Sequence, residues 1–235
     1  MALAHPFVMW RDKATRRFHD FIAMAWMKCS FGSVLVHPNI VNAHNLPPKG
    51  TPVVYVANHS SYLDIFSFAY LRRRIKYVSK AEIFKLPIVG WAMEMAGNIA
   101  LRRMNRRGQM EAYRKMVAVV KNGLSLVIFP EGTRSASGKM RKFQSGGFRA
   151  AKKQNAPIVP VTILGTREVM PAHAWVPLRY PTKPISLVVH PPLDTANRSV
   201  HELQDCAYEA IDSALPPEAQ TRPLIKHAKN ARRNF

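Results

Sequence analysis

Short apolar runs alternate with amphipathic stretches along most of the chain. Uninterrupted apolar runs bounded by turn residues are typical of strands that are buried on both faces of a sheet. Between these runs, apolar residues recur at the helical spacing of a segment that packs on one side only. We predict strands over residues 51–57, 75–80, 98–101, 124–130, 156–164 and 185–190, and helices over residues 61–71, 81–96, 109–121, 146–154 and 201–215.

The order of these elements predicts the fold class. Strands that alternate with helices are the pattern of α/β proteins. We therefore expect an α/β fold in which a central mixed, largely parallel sheet is flanked by helices. We divide the chain into an N-terminal helical segment (1–40), a main domain (41–215) and a basic C-terminal tail (216–235).

The N-terminal segment is predicted to be an amphipathic helix over residues 5–33. Trp10 and Trp26 lie among arginines and lysines, which suits a helix lying in the headgroup layer of a membrane. The alternative is a helix that packs on the rest of the protein. We favour membrane contact because the whole chain is cationic. No apolar run reaches the length of about 18 residues that a spanning helix needs, so we do not expect one.

The charge of the chain narrows the classes of partner. Thirty-five Lys and Arg against 14 Asp and Glu give a net charge of +21, spread along the chain. Such a field attracts nucleic acids, anionic lipid surfaces or phosphorylated small molecules. A hydrophobic content of 47% excludes a disordered chain. Cys29 and Cys206 lie too far apart to form a metal-type pair, and we expect a reducing compartment.

The first candidate for chemistry is the stretch NHSSYLD, residues 58–64. His59 follows a strand predicted to end at Ala57, and α/β proteins bind ligands at the carboxyl ends of their strands. On one ideal helix His59 and Asp64 would lie about 140° apart and could not face each other. If the helix begins near Ser60 or Ser61, however, the imidazole can fold back toward Asp64, which leaves its other nitrogen as a general base.

A structural interpretation competes with this one. Ser61 followed by Asp64 resembles a capping box, in which case His59 is an incidental loop residue. Neither Ser60 nor Ser61 lies in a G-x-S-x-G elbow, which disfavours a serine nucleophile. A base at His59 would therefore act on the hydroxyl of a substrate.

The second candidate is the run FPEGTRS, residues 129–135. It follows a strong predicted strand, so it also opens at the carboxyl edge of the sheet. Gly132 permits a tight turn or the close approach of a ligand, Thr133 supplies a hydroxyl, and Arg134 supplies a fork suited to phosphate. The alternative is a surface turn with a solvated arginine. Lys80 ends the predicted strand 75–80, Arg103 lies just beyond the predicted strand 98–101, and both add positive charge.

Together these motifs resemble one family, the 1-acyl-sn-glycerol-3-phosphate acyltransferases of the bacterial PlsC type, also called lysophosphatidic acid acyltransferases. The resemblance covers roughly residues 50–190 and rests on four blocks in the order of the family: NHSSYLD (58–64), GNIALRR (97–103), FPEGTRS (129–135) and IVPVTILGT (158–166).

The resemblance implies transfer of a fatty acyl chain from acyl-CoA or acyl-carrier protein to the sn-2 hydroxyl of lysophosphatidic acid, giving phosphatidic acid. It implies that His59 is the base and that Asp64 orients it. Arg134 would bind the glycerol phosphate. The other substrate-binding residues that it implies are Glu131, Gly132, Thr133, Arg103 and Lys80.

The resemblance also implies the setting of the reaction. The acyl donor is a substrate, and no cofactor or metal is expected. The expected location is the cytoplasmic face of the inner membrane, as a peripheral or monotopic protein on an anionic surface. Three alternatives remain: a sibling acyltransferase that uses another lysophospholipid or glycerol 3-phosphate, an α/β hydrolase, and a basic nucleic-acid-binding protein. No serine elbow supports the second, and no nucleic-acid-binding signature supports the third; we therefore expect no nucleic acid as a partner.

Overall fold

The computed structural model describes residues 3–32 and 37–221, so part of the predicted N-terminal segment and most of the predicted basic tail lie outside the described residues. The strands are β1 (Asn39–Val41), β2 (Val54–Ala57), β3 (Ile75–Lys80), β4 (Ile99–Leu101), β5 (Ser125–Ile128), β6 (Ile158–Leu164) and β7 (Ser186–Val189). The α-helices are α1 (His5–Arg11), α2 (Arg17–Gly32), α3 (Leu63–Ser67), α4 (Val89–Met95), α5 (Arg106–Lys121), α6 (Gly146–Lys153), α7 (Thr166–Val169) and α8 (Val200–Ser213).

The strands form one sheet in the order β1-β7-β6-β2-β5-β3-β4. β2 is central and runs parallel to both β5 and β6, whereas β7 is antiparallel to β6 and pairs in parallel with β1. The predicted mixed, largely parallel sheet is therefore confirmed. The short strand β1 is an addition that the sequence pattern did not predict.

The two faces of the sheet carry different helices. Val54 and Val56 of β2 share one buried cluster with residues of α5, α6 and α8. Tyr55, which points to the other face because strand side chains alternate, packs with Phe68 and Leu71 of the 3-10 helix Phe68–Leu71. The carboxyl ends of β2 and β5 are left between these layers, and the candidate site lies there.

The predicted helix over residues 61–71 is divided in two. The α-helical part is only α3, and the 3-10 helix Phe68–Leu71 follows it directly. The break predicted near Pro87 is also present, since a 3-10 helix, Ala81–Lys85, precedes α4. α5 begins earlier than predicted, because the Asn105 side chain accepts hydrogen bonds from the N–H groups of Arg107 and Gly108.

The N-terminal segment is two helices rather than one. Asp12 ends α1 and accepts hydrogen bonds from the N–H groups of Thr15 (3.2 Å) and Arg17 (2.8 Å), which turns the chain into α2. From β3, the buried Lys76 donates to Asp20 of α2 at 2.5 Å and to the carbonyl oxygen of Thr15 at 3.1 Å. A buried ion pair thus fastens α2 to the sheet.

The same helix pair has an exposed side. Phe18, Phe21 and Trp26 of α2 are exposed, although their rings are large and apolar. One face of the segment is therefore docked on the protein while another presents aromatic rings to its surroundings. Membrane contact by this segment stays a prediction.

Candidate active site

His59 and Asp64 meet at the carboxyl end of β2. The strand ends at Ala57 and α3 begins at Leu63, so His59 lies just before the helix, as the sequence predicted. Its Nδ1 lies 2.8 Å from Oδ2 of Asp64. A carboxylate at Nδ1 favours the tautomer that carries its proton there, which leaves the lone pair of Nε2 as the basic site.

Asp64 is fully buried and accepts several hydrogen bonds. Its Oδ2 also receives the backbone N–H groups of Ser60 at 2.7 Å and Ser61 at 2.8 Å, and its Oδ1 receives the hydroxyl of Thr166 at 2.5 Å. The Ser61–Asp64 contact of the capping interpretation is therefore present, but the same carboxylate also binds the imidazole of His59. Four donors to one buried carboxylate fix its position.

The remaining surface of His59 is held by the loop after β5. The imidazole stacks on Phe129 with ring centroids 4.1 Å apart and an interplanar angle of 20°. The backbone N–H of His59 donates to Oε1 of Glu131 at 2.8 Å. The side chain is 14% exposed. The ring thus has Nδ1 on the buried Asp64 and keeps part of its surface exposed to a substrate.

Glu131 supports the site through backbone contacts. In addition to His59 N, its Oε2 accepts a hydrogen bond from Arg141 N at 3.1 Å. Burial raises the pKa of Glu131 to about 7, while the two backbone hydrogen bonds act in the opposite direction. Both carboxylate oxygens are engaged, so Glu131 ties the His59 loop to the loop that carries Arg141. That Glu131 shapes the acceptor site stays a prediction.

Arg134 lies against the loop that carries His59. Its guanidinium carbon is 3.6 Å from the ring centroid of Tyr62, a cation–π arrangement that fixes the plane of the fork. Its Nη1 is buried and has no hydrogen-bond partner among the described residues. A buried donor without a partner is costly, and a phosphate oxygen would satisfy it.

Arg103 and Gly132 are brought together at the same turn. Gly132 has φ +76°, a left-handed conformation, and a Cβ added there would lie 3.7 Å from the guanidinium carbon of Arg103. Glycine thus suits the left-handed turn, and the guanidinium of Arg103 lies beside it. Burial lowers the pKa of Arg103 from its ordinary value, and Glu82 acts in the opposite direction.

Two of the predicted substrate-binding residues are less closely tied to the site. Thr133 lies in the same turn and is partly buried. Lys80 is exposed at the end of β3, beside Leu101 of β4. In the part of the chain that the structure describes, no ion pair joins Lys80 to the His59–Asp64 pair.

Three residues of the site were not singled out from the sequence: Thr166, Phe129 and Tyr62. Thr166 follows β6 and is the last residue of the block IVPVTILGT, but nothing in that block marks it as a partner of Asp64. Phe129 and Tyr62 lie inside two of the recognised blocks, but a block does not show which ring faces which partner. Their roles depend on contacts between distant parts of the chain.

The described residues provide neither a metal-binding cluster nor a membrane-spanning helix. Within residues 3–32 and 37–221, no group of three or more His, Cys, Asp or Glu side chains is arranged to hold a metal ion. In the same ranges, the helices fall short of the length and apolar character required to cross a bilayer.

Several known proteins are similar to this chain in sequence. The chain is 38% identical over 218 residues to a chloroplastic 1-acyl-sn-glycerol-3-phosphate acyltransferase of Arabidopsis thaliana, with 90% of this chain and 59% of the relative covered. It is 38% identical to a 1-acyl-sn-glycerol-3-phosphate acyltransferase of Chlamydomonas reinhardtii, with 93% and 64% covered. The chain thus spans about 60% of the length of these two relatives.

A solved structure is similar as well. The crystal structure of the 1-acyl-sn-glycerophosphate acyltransferase PlsC from Thermotoga maritima matches with a TM-score of 0.70 and 27% identity, and 88% of this chain and 84% of that chain are covered. The acyltransferase family model matches residues 37–164, which is more than half of the chain and includes His59, Asp64 and the FPEGTRS turn. The chain therefore belongs to the acyltransferase family.

Proposed function

We propose that this protein transfers a fatty acyl chain from a thioester, either acyl-CoA or acyl-carrier protein, to the sn-2 hydroxyl of 1-acyl-glycerol-3-phosphate, giving phosphatidic acid. The observation that carries the proposal is the His59–Asp64 pair, with Nδ1 on the carboxylate at 2.8 Å and the histidine side chain 14% exposed. The names of the relatives support the same acceptor.

The reaction needs one base and a thioester. Nε2 of His59 takes the proton of the hydroxyl as the oxygen attacks the thioester carbonyl, and a tetrahedral oxyanion forms. The buried carboxylate of Asp64 stabilises the imidazolium. When the intermediate collapses, the carbon–sulfur bond breaks, the ester remains on the lipid, and the thiolate takes the proton from the imidazolium. Direct transfer of this kind requires no acyl-enzyme.

The acceptor is held by its phosphate. The unsatisfied Nη1 of Arg134 is the donor proposed to bind it, since guanidinium groups bind phosphate oxygens in a fixed geometry. Arg103 lies at the same turn and adds charge. Gly132 and Thr133 supply the turn itself, and Lys80, which is exposed at the end of β3, adds a more distant charge.

The location of the protein is proposed to be the cytoplasmic face of the inner membrane, where it is held peripherally. Exposed aromatic residues on α2 and a net charge of +21 support binding to an anionic lipid surface. Such a location brings the enzyme to its lipid acceptor, while either acyl donor reaches it from the aqueous side.

An acceptor panel tests the proposal. The purified full-length protein is given one acyl donor and, in separate reactions, lysophosphatidic acid, lysophosphatidylcholine or glycerol 3-phosphate in detergent micelles, and the lipid products are identified by mass spectrometry. We expect phosphatidic acid from the first acceptor and no product from the His59→Ala protein. Turnover of another acceptor in preference to lysophosphatidic acid would refute the proposed substrate. Normal turnover by His59→Ala would refute the mechanism.

A further inference from the structure

All four tryptophans of the protein are exposed. The exposed fractions are 80% for Trp10, 56% for Trp26, 63% for Trp91 and 71% for Trp175. Tryptophan is highly buried on average in soluble proteins, and a ring this large loses favourable burial when it lies in water. At the boundary between membrane and water, by contrast, tryptophan is enriched, because its ring is apolar and its N–H is polar. This distribution indicates a surface that is covered in use.

Trp175 belongs to a second apolar surface, remote in sequence from the N-terminal helices. The segment 171–180 follows α7, and it also exposes Val176 (61%), Leu178 (56%) and Tyr180 (69%). Connecting segments that run over a protein surface are ordinarily polar, and neighbouring large apolar side chains on them mark an interaction site. Arg179 also lies exposed within the segment.

The segment 171–180 lies beside the substrate site. The ring of Trp175 is 5.4 Å from the ring of Tyr62, and Tyr62 carries the guanidinium of Arg134 on its face. Four residues further along the chain, Phe66 of α3 contacts Trp26 of α2, with ring centroids 5.2 Å apart. Tyr62 and Phe66 pack on the same buried cluster, so α3 and the residue before it link the exposed aromatic residues of α2 to those of the segment 171–180, beside His59 and Asp64.

We infer that the segment 171–180 is a second bilayer contact, which together with α2 places the opening of the active site in the headgroup layer of an anionic membrane. The inference rests on the proposed function, because a lipid acceptor gives the site a reason to face a bilayer. Aromatic and aliphatic side chains enter the interface, and Arg179 binds lipid phosphates.

The charge of the protein favours a bilayer over a second copy of the chain as the partner that covers this surface. Two copies would bring together surfaces of molecules that each carry +21, and like charges oppose that association. An anionic phospholipid surface, in contrast, attracts each exposed basic residue near it. The bilayer is therefore the occupant that agrees with both the apolar side chains and the charge.

Tryptophan fluorescence tests the inference directly. In the full-length protein, Trp10→Phe, Trp26→Phe and Trp91→Phe leave Trp175 as the only tryptophan, and each change keeps an aromatic ring. We expect its emission to shift to shorter wavelength on addition of phosphatidylglycerol vesicles, and to be quenched when the acyl chains carry bromine. Emission that is neither shifted nor quenched while the protein sediments with the vesicles would overturn the inference.

A pair of variants provides the matched comparison. Val176→Ser with Leu178→Ser removes exposed apolar groups from the segment, and neither side chain is among the proposed substrate contacts. We expect vesicle affinity to fall by about tenfold or more, since each side chain loses burial in the interface. Met110→Ser removes an exposed apolar side chain of α5, a helix that packs on the opposite face of the sheet, and should leave the affinity unchanged. Equal losses in both proteins would contradict a specific contact.

Two further measurements distinguish a bilayer contact from contact with a second copy of the chain and from the proposed acyl transfer. A shift of Trp175 emission with protein concentration and without vesicles, accompanied by dimer formation in sedimentation velocity, would assign the surface to a second copy and overturn the bilayer. Acyl transfer in detergent micelles is measured separately on the unmodified protein. Failure there with quenching of Trp175 intact would refute the proposed reaction and leave the bilayer contact standing.

Discussion

Replacing Asp64 by asparagine would remove one negative charge from the site with little other change. Oδ2 accepts hydrogen bonds from Nδ1 of His59 (2.8 Å) and from the N–H groups of Ser60 (2.7 Å) and Ser61 (2.8 Å). The amide oxygen of asparagine can take that place. Its NH₂ group then faces the hydroxyl of Thr166, which can rotate to accept a hydrogen bond. We therefore expect the Asp64→Asn protein to fold.

The expected loss of turnover follows from the charge that His59 acquires. In the proposed reaction the imidazole becomes an imidazolium 2.8 Å from the carboxylate of Asp64. With an effective dielectric constant of about 20, Coulomb's law gives about 6 kcal/mol for two unit charges at that distance. If the imidazole of His59 carries a full positive charge in the transition state, kcat of the Asp64→Asn protein should fall by roughly 10⁴-fold. If the charge is half developed, kcat should fall by roughly 10²-fold.

The assay follows release of the free thiol from acyl-CoA with lysophosphatidic acid as acceptor, together with the thermal midpoint of unfolding. The chain offers a matched control, because His201 and Asp205 form a second His–Asp pair, at 2.9 Å, on the exposed surface of α8. Asp205→Asn removes the same kind of charge from the same kind of pair and should keep wild-type kcat. If Asp64→Asn retains kcat within about threefold of wild type, with its midpoint unchanged, the proposed role of the carboxylate is wrong.

Three further predictions concern residues whose roles come from the structure. Tyr62→Leu removes the ring under Arg134 and should raise the KM for lysophosphatidic acid by roughly 2- to 30-fold without changing the KM for the acyl donor. The control Tyr62→Phe keeps a ring and should behave as wild type. Equal changes in the KM for acceptor and donor would contradict a role in phosphate binding. Burial raises the pKa of Glu131 from 4.5 to about 7, so between these pH values the folded protein keeps a proton that the unfolded chain releases. The stabilisation that this proton gives the folded state is therefore complete below pH 4.5 and is lost as the pH rises to about 7. Urea unfolding should show the wild-type protein losing about 3 kcal/mol relative to Glu131→Gln across that range, and a difference independent of pH would refute the assignment. Asp20→Ala leaves the buried ammonium of Lys76 without its carboxylate and should lower the free energy of unfolding by about 3–5 kcal/mol. Adding Lys76→Met should recover part of that loss. A loss below about 1 kcal/mol in urea unfolding would contradict the importance of the pair.

Local order along the chain accounts for what could be predicted from the sequence. The runs that form β2, β5 and β6 are predominantly apolar over the length of a strand, and a buried parallel strand requires such a run whatever its neighbours are. The spacing of His59 and Asp64 is also local, because both residues belong to one strand end and the first turn of one helix. Patterns of this kind do not depend on how the chain packs, so they could be predicted from the sequence alone.

Contacts between distant residues account for the parts that were not predicted. Thr166 reaches Asp64 across 102 positions, and Lys76 reaches Asp20 across 56. β1 is three residues long, and it is a strand only because β7 pairs with it. The predicted single N-terminal helix became two because Asp12 caps the turn between them.

Local pattern was therefore enough to predict the α/β class, the strand ends at which side chains could act, and a spacing that lets an imidazole meet a carboxylate. Three-dimensional packing was needed to show which groups complete that pair, which ring supports Arg134, and which surfaces lie beside the site. The physical reason is that periodicity and turn chemistry act over a few neighbouring residues, whereas packing selects partners that are close in space and remote along the chain.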